Sequence, residues 1–103
     1  MRLSRKEVLA ITSAFTKLFP ESEFELYLFG SRTDDTKKGG DIDLLVVVSD
    51  LEKSQFADAK SQLKNEMFKS MDEQRIDITV ASPQDLEQDT FLRSVQGQLV
   101  KLN

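Results

Sequence analysis

The chain has 103 residues, 39% of them hydrophobic, which suits one compact core and is too little for two, so a single domain over residues 1–103 is expected. It has no cysteine and no histidine, which excludes disulfides, thiolate zinc sites, thiol nucleophiles, the usual general base and the usual transition-metal ligand, and leaves oxygen to hold any metal. The formal net charge of -4, from 18 acids against 14 bases, makes the surface as a whole repel a phosphate backbone, so nonspecific nucleic-acid binding is not expected.

The opening "MRLSRKEVLA" carries charges with no apolar stretch behind it, and no window approaches the roughly 18 apolar residues of a membrane span. A cytoplasmic location without membrane contact is therefore expected. A first helix is predicted from about Ser4 to Phe19. Ser4 and Glu7 form a capping box, Leu3 and Val8 a hydrophobic staple, and Val8, Ile11, Phe15 and Leu18 line one face until Pro20 stops it. "FELYLFG" follows as a strand rich in aromatic and β-favouring residues and ends at Gly30. A helical turn capped by Ser31 comes next. "DIDLLVVV" is a second strand, apolar on both faces beyond Asp43 and therefore central in its sheet. Phe56, Ala59, Leu63, Met67 and Met71 recur at helical spacing, which predicts one long helix from about Leu51 to Met71. "RIDITVA" is a third strand. "SPQD" starts a helix with Ser82 as cap, Pro83 in the first turn and Asp85 at the positive end. A short last helix is predicted over Asp89 to Gln96, ending at Gly97, and the tail "QLVKL" adds an edge strand or packs down. This order argues for an α/β (α+β) fold, a small mixed sheet with flanking helices.

The placement of charge in the second strand needs an explanation. Side chains alternate along a strand, so Asp41 and Asp43 project from one side, roughly 6 to 7 Å apart, while Ile42 and Leu44 enter a core on the other. Asp77, between Ile76 and Ile78, repeats the arrangement in the third strand. If the two strands are neighbours, three carboxylates meet on one sheet face, and their repulsion is relieved most economically by a divalent cation with a preference for carboxylate oxygen, such as Mg²⁺. The alternatives are plain. Aspartates often open strands as turn residues, and a salt bridge with Arg75 or a lysine would satisfy Asp77.

Gly30 and Ser31 add a second kind of chemistry. A capped turn after a strand presents backbone N–H groups and a hydroxyl, and glycine lets a phosphate approach the backbone closely. The whole pattern is a strand, Gly-Ser, nine residues, Asp-x-Asp on a strand, and one aspartate on a later strand. With "LFGSR…GGDIDLLV" and "RIDITV" it resembles the minimal nucleotidyltransferases (MNT) of the DNA polymerase β-like nucleotidyltransferase superfamily, and the matching order of elements extends the resemblance over nearly the full chain.

The resemblance implies that Gly30 and Ser31 hold the β- and γ-phosphates of a nucleoside triphosphate, that Asp41 and Asp43 ligate magnesium, and that Asp77 is the third carboxylate. Arg32 is assigned to phosphate, where its fork suits two oxygens, with a salt bridge to Asp34 or Asp35 as the alternative. Many relatives carry a second arginine where this chain has Asp34; Lys37 and Lys38 restore positive charge to the loop. The implied activity is Mg²⁺-dependent transfer of a nucleoside monophosphate, AMP from ATP, to a hydroxyl. Two metal ions clamp the attacking and leaving oxygens, and Asp77 takes the acceptor's proton. The implied setting is the antitoxin half of a toxin-antitoxin module, modifying a helical HEPN-type partner protein. Two competing expectations are a binding module that neutralises its partner by contact, and an aminoglycoside-type small-molecule enzyme whose pocket is completed by a homo-oligomer.

Overall fold

The first helix begins where its capping box places it. The Glu7 N–H donates to Ser4 Oγ at 3.1 Å and the Ser4 N–H to Glu7 Oε1 at 3.0 Å, so two backbone donors of the first turn are satisfied. In the computed structural model, which describes residues 3–30 and 41–103, this helix α1 runs Arg5–Leu18 and buries Ala10, Ile11, Ala14 and Phe15 along one stripe. The strands are β1 (Glu25–Phe29), β2 (Ile42–Val47), β3 (Ile76–Ala81) and β4 (Val100–Lys101). Between β2 and β3 lie a 3₁₀ turn (Asp50–Glu52), α2 (Lys53–Asp58) and α3 (Lys60–Met67); α4 (Pro83–Gln88) and α5 (Thr90–Val95) follow β3.

The sheet order is β3-β2-β1-β4. β1 pairs antiparallel with β2 and β4, and β2 pairs parallel with β3. The expected mixed sheet and the central position of "DIDLLVVV" are both present. The tail forms the edge strand on β1, extended by Asn103, whose side chain accepts from the Leu26 N–H and donates to the Phe24 carbonyl, both at 2.9 Å.

Strand alternation divides the core in two. Leu26, Leu28, Ile42, Leu44, Val46, Ile76 and Ile78 face α1, α2 and α3, where they meet Ile11, Phe15, Phe56, Leu63 and Met67. Phe29, Leu45, Val47 and Ala81 face the other way and are covered by Leu92 of α5. The second cover is thinner, and it leaves one end of the face to Asp43 and Asp77.

The long helix expected over residues 51–71 is instead interrupted. Ala59 leaves the α conformation, its N–H bonds the Phe56 carbonyl at 3.2 Å, and α3 starts afresh. The stripe itself explains the break. Steps of four residues overshoot a full turn by about 40° each, so a straight helix would rotate Leu63, Met67 and Met71 away from the sheet. The 3₁₀ step re-aims α3, and all five stripe residues are buried, Met71 from a turn beyond the helix. The last helix likewise closes at Val95, and Gln96–Gln98 form a 3₁₀ turn around Gly97.

The α4 start is the most tightly tied local structure. Ser82 is buried, the Asp85 N–H donates to its Oγ at 3.2 Å, its own N–H donates to Asp85 Oδ2 at 2.9 Å, and Lys53 Nζ reaches the same oxygen at 2.6 Å. The lysine, ahead of the serine backbone, holds the Asp85 carboxyl below its ordinary range. Ser82→Ala is expected to cost about 1–2 kcal/mol, since it removes the cap and leaves the Asp85 N–H unpaired. Urea unfolding measures it; a loss under a few tenths would show that Asp85 and Lys53 hold the turn alone.

Candidate functional site

Hydrogen bonding between strands, not side-chain attraction, assembles the site. The parallel register sets Asp43 opposite Asp77, and the antiparallel register sets Phe29 opposite Asp43, so one row across three strands reads Phe29, Asp43, Asp77. Neighbouring strands lie about 4.8 Å apart, so the two carboxylates are immediate neighbours on one face. The Ile42 N–H donates to the Arg75 carbonyl at 3.1 Å and fixes the strand starts against each other. Asp41 stands one residue before β2 at this same end. The three aspartates are thus brought to one corner of the sheet.

Their environments differ. Asp41 and Asp77 are about half exposed, and one guanidinium serves both: Arg75 Nε is 3.4 Å from Asp41 Oδ2 and 3.7 Å from Asp77 Oδ2. Asp43 has no ion pair among the described residues. Burial, followed by the charges of Asp77 and Asp41, pushes its carboxyl above the ordinary range, and Arg75 only partly opposes this. Among the described residues no group of three acidic side chains is arranged to hold a metal ion. The sequence named Arg75 as a partner for Asp77; that Asp41 shares it follows from strand pairing, which spacing alone does not give.

Gly30 closes the corner from the β1 side. Its φ of +82° lies in the left-handed region, and a Cβ on it would fall 2.5 Å from Asp43 Oδ2 and 3.3 Å from its Cγ. Two independent reasons therefore demand glycine: the backbone angle and the carboxylate pressed against its open side. Ser31 and Arg32, the other expected phosphate-binding residues, lie outside the described residues, as do Lys37 and Lys38.

One neighbour was missed from the sequence. Phe91 of α5 is 58% exposed, yet its ring stands edge-on to Phe29, with centroids 6.3 Å apart. The available signal was a large aromatic ring in an otherwise polar helix start. The corner therefore combines three acids, a glycine turn, one shared arginine and an aromatic wall.

A family model described as a nucleotidyltransferase domain matches residues 10–101. The crystal structure of a candidate nucleotidyltransferase from Sulfolobus solfataricus is similar in fold, with a TM-score of 0.55 at 19% identity over 98% of this chain and 89% of that one. No curated protein matches the chain.

Two outcomes test the corner's physics. Gly30→Ala is expected to cost about 1–2 kcal/mol from the backbone angle alone. In a double-mutant cycle with Asp43→Ala, a coupling of at least about 0.5 kcal/mol should report the contact with the carboxylate; strict additivity would place that carboxylate elsewhere. The folded pKa of Asp43 lies above its unfolded value, so the ionised form opposes folding at neutral pH, and protonation lifts this as pH falls through the raised pKa. Asp43→Asn should accordingly raise the melting temperature at pH 7 by about 1–3 °C, a partly screened effect at a half-buried site, and the gain should vanish in acid.

Proposed function

The chain belongs to the nucleotidyltransferase domain family, and from that premise we propose that it transfers AMP from ATP to a hydroxyl on a partner protein, with Asp41, Asp43 and Asp77 as its catalytic acids. The observation that carries this reading is the row that sets Asp43 beside Asp77 on β3 and beside the Gly30 turn on β1. A structural role alone gives no reason to align two carboxylates in register and press a glycine against one of them.

The donor set suits magnesium. It consists of carboxylate oxygens only, in a chain without histidine or cysteine, and the charge around Asp43 is incompletely compensated. Asp41, Asp43 and Asp77 would hold the ions. When bound, two Mg²⁺ supply neutralisation of the triphosphate and polarisation of the acceptor hydroxyl.

The remaining roles fall to the chain itself. The acceptor oxygen attacks the α-phosphorus in line, the bond to the bridging oxygen breaks, and pyrophosphate leaves. Asp77, the outermost acid, takes the acceptor proton. Gly30 brings the turn against Asp43, so that phosphates held by Gly30, Ser31 and Arg32 lie next to the acids. Among the described residues the α5 cover stops short of Asp43 and Asp77, and an acceptor carried on another protein would approach the α-phosphate from that side. By family resemblance that protein is helical and of the HEPN type, and the chain is its antitoxin.

The test incubates the purified protein with ATP labelled at the α-phosphate, magnesium and host extract. Label on a protein band, lost with Asp43→Asn although that variant stays folded, is the expected outcome. Label in RNA or in a small metabolite would replace the protein acceptor, and no label at all would favour neutralisation by contact.

A further inference from the structure

Arg75 is assigned no role by the family match, yet it has the most specific ionic geometry at the corner. Its Nε faces one oxygen of Asp41 and one of Asp77, at 3.4 and 3.7 Å, from a side chain that is itself 72% exposed. Arg75 stands two residues before Asp77 and directly before β3, and its carbonyl accepts from Ile42, so its backbone is fixed at the strand start while its side chain lies mostly in solvent.

We propose that Arg75 is a built-in counter-cation that competes with the divalent ion for Asp41 and Asp77, and that it thereby sets the metal affinity of the site. The inference rests on the reading that these carboxylates receive magnesium. Three steps support it. Three acids without compensation would repel along strands that cannot separate, and Arg75 is the cation that the described residues place between two of them. A metal ion would draw on the same two carboxylates, so guanidinium and metal compete for their charge. Magnesium requires its oxygens at about 2.0–2.1 Å, a closer approach than the 3.4 and 3.7 Å of the Arg75 nitrogen, so the carboxylates would have to leave Arg75 to receive it.

An exposed ion pair is worth little and breaks readily. A weak competitor of this kind lowers metal affinity without abolishing it, and it spares the metal-free chain the repulsion that its strand register imposes. Arg75 is a positioning residue in this account, since it acts on the carboxylates and not on the substrate.

The experiment is a Mn²⁺ titration of the full chain without nucleotide, followed by electron paramagnetic resonance, with melting temperatures recorded with and without Mg²⁺. Arg75→Gln removes the charge at similar length, and Arg75→Lys retains it. Arg75→Gln is expected to bind Mn²⁺ about three- to fivefold more tightly than wild type, the gain from removing an exposed ion-pair competitor. Its metal-free form should melt lower, and its rise in melting temperature with Mg²⁺ should exceed that of wild type. Arg75→Lys should stay near wild type. If wild type binds Mn²⁺ and Arg75→Gln binds it no more tightly, the inference is overturned while the metal reading stands. If wild type binds no better than Asp43→Asn, both fall together.

Discussion

The parallel pairing of β2 with β3 is the constraint on which the rest of this structure depends. It is enforced by apolar residues: Ile42, Leu44 and Val46 on one strand and Ile76 and Ile78 on the other are buried against the helices, and a shift of either strand by one residue would turn its apolar set outward. The same register that satisfies the core places Asp43 beside Asp77. Like charges are thus made neighbours by hydrophobic burial, whose total far exceeds one exposed carboxylate repulsion. The fold imposes the electrostatic problem, and the site's chemistry is the response to it.

Much of this was legible in the residues because the signals were local and redundant. The capping box at Ser4, the cap at Ser82, the unbroken apolar run of β2 and the alternation around Asp77 each fix a conformation through neighbouring residues, and the structure reproduces them. The break at Ala59 was not legible. No proline or glycine marks it, and it arises from the mismatch between a four-residue stripe and the sheet surface, which exists only once the helix lies on that sheet. The sharing of Arg75 by Asp41 and Asp77, and the approach of Phe91 to Phe29, are likewise products of pairing and packing. Sequence spacing identified the acids; only strand order could show how they are divided between burial and solvent.

That division matters chemically. Asp43 is the innermost acid, hemmed in by the sheet and by Gly30, and it has the least freedom to turn toward water. Asp41 and Asp77 flank it with more exposure and a shared, solvent-facing counter-charge. One acid is thus held in place by the fold while the two beside it face solvent, which limits the ordering entropy of anything that binds there and keeps the position of the corner defined.

The thin cover on the site's face follows from the same arrangement. The helical side of the sheet carries three helices and an aromatic cluster in which Phe19 and Phe56 stack with centroids 3.8 Å apart, so the bulk of the apolar core lies there. The other face is closed by Leu92 and its neighbours over Phe29, Leu45, Val47 and Ala81, and among the described residues this apolar cover does not extend to the row at Asp43 and Asp77. A second full layer over that row would bury the carboxylates and raise the cost of ionising them, which is already evident at Asp43. Stability is therefore concentrated on one side of the sheet, and the other side keeps its charged groups in contact with water.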